Sequence, residues 1–310
     1  MSKILVVFGA TGHQGSSIVN YVLNDSELSR EYQIRAITRN INSEKIKQLK
    51  ERVEVVQGDV LDRASLEAAL TGAHTVFSMT TPDFGPNGLE VEYENGKRIA
   101  DVAVEKGVEY IIFSTLPSAS EITGGKYTRI TPFEAKAKIE KYIRGLPIKS
   151  AFYCPGYFME DFQSPIFLNT KKAPDGTWVI TRNVPSTALM PIVDAVGDSG
   201  KFVGAILADP DKYEGKLFCA AILYSWEEIV AAISKATGET IVFKQVSSEE
   251  FEESLPGFQK MFTDAFRYQE EYGGFCGPES KKLIDWAAKN ARGKLTTFEE
   301  FLKTHPVQLE

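Results

Sequence analysis

The sequence lacks the features that mark secreted and membrane-spanning proteins. It contains only three cysteines, Cys154, Cys219 and Cys276, which are far apart in the sequence and have no histidine at ligand spacing. This usage indicates neither a disulfide framework nor a zinc site. No apolar run approaches the roughly 20 residues that a membrane-spanning helix needs, and the apolar start runs into glycines rather than a signal-peptide cleavage site. We therefore expect reduced thiols, no membrane partner, and a location in the cytoplasm or also in the nucleus.

Basic clusters without interleaved acidic residues are also missing. The formal net charge is −7 at pH 7, whereas a surface that binds DNA needs lysines and arginines to neutralise phosphates. We therefore expect no direct contact with nucleic acid. The hydrophobic fraction of 43% and the charged fraction of 25% are ordinary for a globular protein, which excludes a disordered chain.

The first half of the sequence alternates short β-rich segments with longer helical patterns. The β-rich segments are KILVVFG, QIRAITR, VEVVQGD, TVFSMT, YIIFST and IKSAFYC. Parallel strands joined by helices form a sheet that is covered on both faces. The pattern therefore predicts an α/β fold, a Rossmann-type doubly wound parallel sheet with a second, smaller α/β region.

Prolines and glycines interrupt this pattern after Phe158, and a helical pattern, DSGKFVGAILADP, then resumes. We expect this helix to return to the sheet, with Asp198 as its N-cap. Residues 1–154 and about 188–210 are assigned to a dinucleotide-binding domain. Residues 155–187 and 211–310 are assigned to a smaller region that binds a substrate or a partner.

The segment GATGHQG places Gly9, Gly12 and Gly15 directly after the first predicted strand. A strand, a tight turn and a helix N-terminus offer free backbone amides to a diphosphate. Gly9 would permit the turn, Gly12 the close approach of the diphosphate, and Gly15 the packing of the helix on the strand. The sequence therefore predicts a dinucleotide site, and a loop retained only for packing is the alternative.

The end of the second strand lacks the acidic residue that binds the ribose 2′-hydroxyl of NAD. The sequence there is TRN, and the guanidinium of Arg39 suits the 2′-phosphate of NADP. A solvated surface arginine is the other reading of Arg39. We therefore expect NADP(H) to be preferred, with NAD(H) as the second choice.

Two further strand ends supply candidate cofactor contacts, because ligands of such sheets bind at the carboxyl ends of the strands. Asp59 and Val60 follow the third strand, where the adenine ring would lie, although Asp59 also suits a simple turn. The fourth strand is followed by residues expected near the ribose and the nicotinamide, namely Thr80, Thr81 and Pro82.

Many reductases with this type of sheet use a tyrosine as proton donor and a lysine four residues later. The only match, Tyr93 with Lys97, precedes the fifth strand instead of following it, so we interpret it as chance. Phe133 stands near the place where the tyrosine would be. Lys136 is then the tentative catalytic residue: it anchors the nicotinamide ribose, or it acts as the acid/base itself, or it is a solvated helix lysine.

The segment YCPGYFMEDF lies at the predicted junction of the two regions. We expect Tyr153 and Pro155 to contact the cofactor. Tyr127 and Tyr153 are candidate substitutes for the missing proton donor, although nothing in their spacing requires it. Tyr157 and Phe158 line a pocket or, equally, pack in a domain interface.

Several segments together resemble the NmrA-like proteins, an atypical branch of the short-chain dehydrogenase/reductases. The resemblance runs nearly end to end and depends on the order and spacing of these segments: GATGHQG, ITRN, FSMTTP, ENGKRIADVAVEKGVEYIIFST, FEAKAKIEKYIR, MPIVDAVGDSGKFVGAIL and FRYQEEYGGFCG. It implies an NAD(P)-binding protein in which the tyrosine–lysine pair is often broken. It also implies a redox sensor or regulator with a protein partner such as a transcription factor.

The resemblance also implies roles for individual residues. Arg39 would contact the 2′-phosphate, as in NADPH-binding members, although the fungal nitrogen repressor of the family lacks an arginine there. Lys136 would lie on the nicotinamide side, as in isoflavone-type reductases, which are enzymes. The residues of the implied diphosphate loop are Gly9, Thr11, Gly12, Gln14 and Gly15. His13, which lies within this loop, is also expected to contact the cofactor.

Two functions follow from these observations. The first is an NADP(H)-binding sensor or regulator whose contact with a partner depends on the state of the cofactor. The alternative is an NADPH-dependent reductase of a small quinone, carbonyl or imine-like substrate.

Overall fold

Strands and helices alternate through the first half of the chain, as the hydrophobic pattern predicts. The computed structural model describes residues 2–255 and 257–309. The strands are β1 (Lys3–Val7), β2 (Tyr32–Thr38), β3 (Glu54–Gln57), β4 (Thr75–Ser78), β5 (Tyr110–Ser114), β6 (Lys149–Pro155), β7 (Tyr157–Phe158), β8 (Thr170–Lys172), β9 (Trp178–Arg182), β10 (Leu189–Val193), β11 (Leu217–Ala220), β12 (Ile222–Ser225) and β13 (Ile241–Gln245).

Helices connect most of these strands. They are α1 (His13–Asn24), α2 (Leu28–Glu31), α3 (Glu44–Lys50), α4 (Arg63–Leu70), α5 (Gly88–Glu105), α6 (Ala119–Ile122), α7 (Thr131–Arg144), α8 (Pro165–Leu168), α9 (Ala195–Ala208), α10 (Trp226–Thr237), α11 (Ser248–Ser254), α12 (Met261–Glu271), α13 (Ser280–Asn290) and α14 (Phe298–Thr304). Short 3-10 segments cover Met159–Gln163, Gly257–Lys260 and Gly277–Glu279.

Seven strands form one parallel sheet in the order β11-β6-β5-β4-β1-β2-β3. The chain builds the sheet outward from β1, first through β2 and β3 and then, on the other side, through β4, β5 and β6. This reversal opens a crevice at the carboxyl ends of β1 and β4. The predicted Rossmann-type α/β class is confirmed, and β1 to β6 correspond to the six predicted β-rich segments.

Alternate side chains of the central strand supply two separate cores, because successive residues of a strand point to opposite faces. Leu5 and Val7 pack on one face with Ile18 of α1 and with α9. Val6 packs on the other face with Ile99 of α5 and with α4 and α7. Helices therefore cover both faces, which explains why the strands read as continuous apolar runs.

Helix α9 packs closely on α1, as the prediction of a returning helix requires. A Cβ at Gly200 would lie 2.4 Å from the Tyr21 Cβ and 2.6 Å from the Ser17 carbonyl oxygen. A Cβ at Gly204 would lie 2.4 Å from the Tyr21 ring. The Gly200 N–H also donates to the Ser17 hydroxyl at 2.9 Å. The two glycines therefore set the distance between the helices.

The prediction that Asp198 caps this helix is wrong by one turn. Asp194 is the N-cap, and its carboxylate accepts from the Gly197 N–H. Asp198 lies in the first turn, where it pairs with Lys201 at 2.6 Å and accepts from the Thr296 N–H at 2.9 Å. It therefore ties α9 to the segment before α14.

The second half of the chain adds two small sheets, in the orders β12-β10-β7 and β13-β9-β8. A separate apolar core packs between them and helices α10, α11, α12 and α14. The predicted division of the chain into two regions stays a prediction. The strand pairing connects the two predicted regions. Strand β11, which was assigned to the smaller region, extends the large sheet. Strand β10, which was assigned to the dinucleotide-binding domain, belongs to a small sheet.

Within the described residues, no helix has the length and apolar character that crossing a membrane requires.

Helix α5 has 18 residues and buries one face along its length, which includes Gly88, Glu92, Gly96 and Ile99. A glutamate on this face is unusual, because carboxylates are rarely buried without a partner. The position of Glu92 therefore points to an ion pair inside the protein.

We expect Gly200→Ala to lower the free energy of unfolding by about 1–3 kcal/mol, because the added methyl group overpacks the α1–α9 contact. In an exposed helix the same change would be stabilising. Urea denaturation measures the difference. Gly145→Ala is the control, since its Cβ would meet the nearest atom at 3.4 Å, an ordinary contact. Equal stability of the two variants would contradict the close packing.

Candidate functional site

The glycine loop brings α1 against the end of β1. Gly9 has a φ of +64°, a conformation that favours glycine, and its carbonyl oxygen accepts from the Gly12 N–H at 2.8 Å. A Cβ at Gly15 would lie 2.2 Å from the same oxygen. The turn therefore requires glycine at both positions, in agreement with the roles predicted from the sequence.

The backbone donors in the first turn of α1 have no acceptor in the part of the chain that the structure describes. Gly12 caps the helix without a side-chain hydrogen bond, and the Ser16 N–H is the first to bond back, to the Gly12 carbonyl at 2.9 Å. The first N–H groups of a helix have no acceptor within it, and the helix dipole adds positive potential. The amides of His13, Gln14 and Gly15 therefore form a site suited to an anion such as a diphosphate.

The side chain of Gln14 is the second feature of this loop that suits a ligand. It is buried, and its Oε1 atom has no hydrogen-bond partner among the described residues. A buried oxygen without a partner costs on the order of 1–3 kcal/mol. Gln14 lies in the same first turn and lines a cavity, so the loop fits a dinucleotide that brings its own hydrogen-bond donors.

One cavity, here called the polar cavity, has a volume of about 330 Å³. Arg39 is exposed at this cavity, and within the described residues no acidic side chain pairs with it. The Asp59 Oδ1 atom accepts from the Leu61 N–H at 2.9 Å. The lining residues are Phe8, Gly9, Thr11, Ile37, Thr38, Arg39, Gly58, Asp59, Val60, Leu61, Met79, Thr80, Thr81, Asn95 and Ile99.

A second cavity, here called the apolar cavity, has a volume of about 290 Å³. Its lining residues are Gln14, Met79, Thr80, Pro82, Phe84, Ser114, Thr115, Leu116, Pro132, Phe133, Lys136, Pro155, Gly156, Tyr157, Phe158, Asp161, Met261, Phe262 and Phe275. Met79 and Thr80 line both cavities, so the two are adjacent along the carboxyl ends of the strands. Such a crevice is where ligands of open α/β sheets bind.

Lys136 lies in the wall of the apolar cavity as one member of a buried ion pair. Its Nζ atom donates to the Glu92 Oε1 atom, which also accepts from the Thr80 hydroxyl at 2.6 Å. Lys136 is 8% exposed and Glu92 is 2% exposed. Burial lowers the pKa of Lys136, and the charge of Glu92 opposes this shift. Lys136 is therefore not the solvated helix lysine that was one reading of the sequence.

Asp161 is a second titratable group at the apolar cavity. Burial raises its pKa to about 6, although the hydrogen bond that it accepts from the Phe158 N–H lowers the pKa. Tyr157 also lines this cavity, but its hydroxyl accepts from the Gln269 Nε2 atom at 2.8 Å, and burial raises its pKa. Asp161 therefore has the pKa of an acid that can exchange a proton near neutral pH.

Several predicted residues lie outside both cavity linings. His13 is exposed and makes an edge contact with the Phe158 ring, with centroids 5.9 Å apart. Tyr153 is fully buried, and its hydroxyl lies 2.8 Å from the Ser199 hydroxyl. Tyr127 packs against Tyr268. The structure brings neither Tyr153 nor Tyr127 to the position of a proton donor in the apolar cavity.

Sequence reasoning missed two site residues and one cluster. Glu92 had a signal, since it is a charged residue on the apolar face of α5, whereas Asp161 lay unremarked in an aromatic segment. The third omission concerns the cysteines, whose separation in the sequence was read as the absence of any shared site. The Sγ atoms of three cysteines lie within 4.8 Å of one another, namely those of Cys154, Cys219 and Cys276.

Comparisons with known proteins agree with the fold. A family model described as the NmrA-like family matches residues 1–302. The NmrA-like family domain-containing oxidoreductase FrzB of Cladobotryum sp. is 30% identical over 330 residues, which covers 99% of this chain and 95% of that protein.

Two solved structures share the architecture. The crystal structure of NmrA, a negative transcriptional regulator, has a TM-score of 0.79 at 23% identity, covering 97% of this chain and 94% of that one. The structure of Citrobacter sp. triphenylmethane reductase complexed with NADP(H) has a TM-score of 0.76 at 23% identity, covering 97% and 99%.

We expect Glu92→Gln to lower the free energy of unfolding at pH 7 by about 3 kcal/mol, because it leaves the Lys136 charge buried without a partner. The loss should shrink as the pH rises toward 10.5, the ordinary pKa of lysine. The reason is that Glu92 opposes the effect of burial, so without it the pKa of Lys136 in the folded variant lies further below that of the unfolded chain. The unfolded variant then binds more protons than the folded one, and its stability rises with pH more steeply than that of the wild type.

Urea denaturation at several pH values measures this change, and Glu90→Gln is the matched control. Glu90 also lies on α5 and pairs with a lysine of α7, Lys138, but both side chains are largely exposed. Its loss should therefore stay below about 1 kcal/mol and vary little with pH. Similar losses in the two variants would contradict the role of burial at Glu92.

Proposed function

The chain belongs to the NmrA-like family, and on that premise we propose that it is an NADPH-dependent reductase of a small, flat quinone, carbonyl or imine-like molecule. One observation carries the proposal: the apolar cavity of about 290 Å³ continues the dinucleotide crevice beyond Thr80. A sensor needs only the crevice. A reductase also needs room for a substrate at its end, and this chain has that room.

The proposed cofactor would lie along the crevice from the polar to the apolar cavity. The amides of the first turn of α1 would hold its diphosphate, Arg39 its 2′-phosphate, and Asp59 with Val60 its adenine. Thr80 would lie near its nicotinamide ribose. The structurally similar Citrobacter reductase was solved with NADP(H), which supports a nicotinamide dinucleotide as the ligand of this fold. When bound, NADPH supplies the hydride.

The residues of the apolar cavity suit a flat, uncharged substrate. Its wall includes the rings of Phe133, Tyr157, Phe158 and Phe262, which exclude water and offer faces and edges for stacking. A charged substrate would lose its hydration without a free partner ion, because the Lys136 charge is already compensated by Glu92. Electrophiles that become anionic only on reduction therefore fit best.

Asp161 is the proposed proton donor for this reaction. Reduction of a carbonyl, quinone or imine places negative charge on an oxygen or nitrogen, which then requires a proton. Asp161 lines the cavity and holds a proton over an unusually wide pH range for a carboxyl group. Lys136, fixed by Glu92, would act as a buried cation that positions the cofactor, as one reading of the sequence expected.

A sensor or regulator is the second candidate, and Phe133 is the observation that favours it. This residue lies in the wall of the apolar cavity, and in the sequence it stands near the place where such reductases carry the tyrosine that donates the proton. The similar NmrA structure is that of a negative transcriptional regulator. In this case a protein partner, such as a transcription factor, must bind one cofactor state more tightly than the other.

We expect Arg39→Ala to weaken NADPH binding by about 10- to 100-fold, because a charge-assisted, bidentate contact with the 2′-phosphate is lost. Calorimetric titration measures the dissociation constant. NADH is the internal control, since it lacks this phosphate and its affinity should change little. An equal loss for both cofactors would contradict the assigned contact.

The reductase proposal predicts NADPH oxidation, followed at its absorbance maximum, with a panel of small quinones and imines. Because the pKa of Asp161 is about 6, its protonated fraction falls as the pH rises above that value. The turnover number should therefore decrease above pH 6 in the wild type. Asp161→Asn should be slower and should lose this dependence while its KM changes little.

Asp83→Asn is the control for this substitution, since Asp83 is an exposed carboxylate of the loop after β4 and lies outside both cavity linings. Its pH profile should match that of the wild type. An unchanged profile in Asp161→Asn would remove Asp161 as the proton donor. Cofactor binding without turnover on any substrate of the panel would instead favour the sensor.

A further inference from the structure

Three thiols that are distant in the sequence meet beside the apolar cavity. Cys154 on β6 and Cys219 on β11 are partners in the parallel pairing of these strands, so their side chains lie on the same face of the sheet. Cys276 reaches them from the loop between α12 and α13. Its Sγ atom lies 2.9 Å from that of Cys219, and all three sulfurs lie within 4.8 Å of one another.

The loop that carries Cys276 is fixed by hydrogen bonds. The Cys276 N–H donates to the Ser280 hydroxyl at 2.8 Å, and the Tyr268 hydroxyl donates to the Phe275 carbonyl oxygen at 2.8 Å. Gly277 has a φ of +72°, which favours glycine at this bend. The third sulfur is therefore held in place by the fold.

The surroundings of the cluster are apolar. Cys154 and Cys219 are fully buried, among side chains that include Phe133, Tyr268 and Phe275. Cys276 is partly exposed, which leaves a route from solvent. Within the described ranges, the group of potential ligand atoms contains these three sulfurs and no histidine or carboxylate.

The three thiols determine which ion can bind here, through the number of ligands that the ion needs and the charge that it carries. Bonds of about 2.3 Å to a central ion keep three sulfurs at most about 4 Å apart. The three sulfurs here lie within 4.8 Å of one another, so small side-chain shifts suffice to bind one ion. Zinc requires a fourth ligand. Copper(I) is soft enough, but with three thiolates it leaves a net charge of −2 in an apolar site, which is costly. A trivalent thiophilic ion takes three sulfurs and leaves no net charge.

We propose that Cys154, Cys219 and Cys276 form a three-sulfur site for a trivalent thiophilic ion, for which arsenic(III) is the probe. In the binding step, arsenous acid, As(OH)₃, exchanges its three As–O bonds for three As–S bonds. Each thiol proton leaves with one hydroxide as water, so no oxidant or reductant is needed. No charge is created in the apolar surroundings.

Native mass spectrometry of the intact, reduced chain with sodium arsenite tests this step. The expected product carries one arsenic in place of three hydrogens, and the absorbance of As–S bonds should reach its plateau at one equivalent. An arsenic that retains one hydroxyl would show that only two sulfurs bind, which overturns the three-sulfur site. A chain that is lighter by two hydrogens and takes no arsenic would show a disulfide and would also overturn it.

Cys276→Ser is the main variant, because this residue is partly exposed and the exchange of sulfur for oxygen is nearly isosteric. It should retain the wild-type melting temperature, bind arsenic at least 10-fold more weakly, and retain one hydroxyl on the arsenic. Cys219→Ser should give the same product. Unchanged binding in either variant would place the arsenic elsewhere. The experiment contains no nicotinamide cofactor, so its outcome is independent of the proposed function.

Discussion

The contact of α1 with the end of β1 is the constraint on which the rest of the site depends. Because Gly15 presents no side chain to the Gly9 carbonyl oxygen, the first turn of the helix packs against the loop that follows β1. The first amides of the helix then face the carboxyl end of the sheet. The crevice continues from these amides to Arg39 on one side and to the apolar cavity on the other. A longer turn would move these amides away from both Arg39 and the apolar cavity.

Buried charge is the second organising feature. The Lys136–Glu92 pair connects α7 to α5, and the Thr80 hydroxyl connects the pair to the end of β4. A cation in the wall of an apolar cavity is tolerated only because its counter-ion is equally buried. The pair thus fixes the lysine in one geometry, which suits a positioning role better than proton transfer. Burial instead raises the pKa of Asp161 to about 6.

The sequence was sufficient for features that depend on local spacing. The strands, the glycine turn and the placement of Arg39 follow from periodicity and from the missing acid after β2. Features that depend on tertiary contacts were harder. The burial of Glu92 requires the packing of α5 on α7, and the meeting of Cys154 with Cys219 requires β11 to join the large sheet in a particular register. No local pattern encodes that register, so the cysteines read as unrelated.

The central claim is that the free amides of the first turn of α1 bind a dinucleotide diphosphate. Calorimetric titration of the intact chain and of Gly12→Ala with NADPH tests it most directly. A Cβ at Gly12 would lie 3.3 Å from the Gly9 carbonyl oxygen, a tight contact that the turn must relieve by a small shift, so the melting temperature of the variant is measured beside its affinity as the control for folding. We expect one site per wild-type chain and at least 10-fold weaker binding in the variant. No binding heat in the wild type at millimolar NADPH, or equal affinity in both, would contradict the claim.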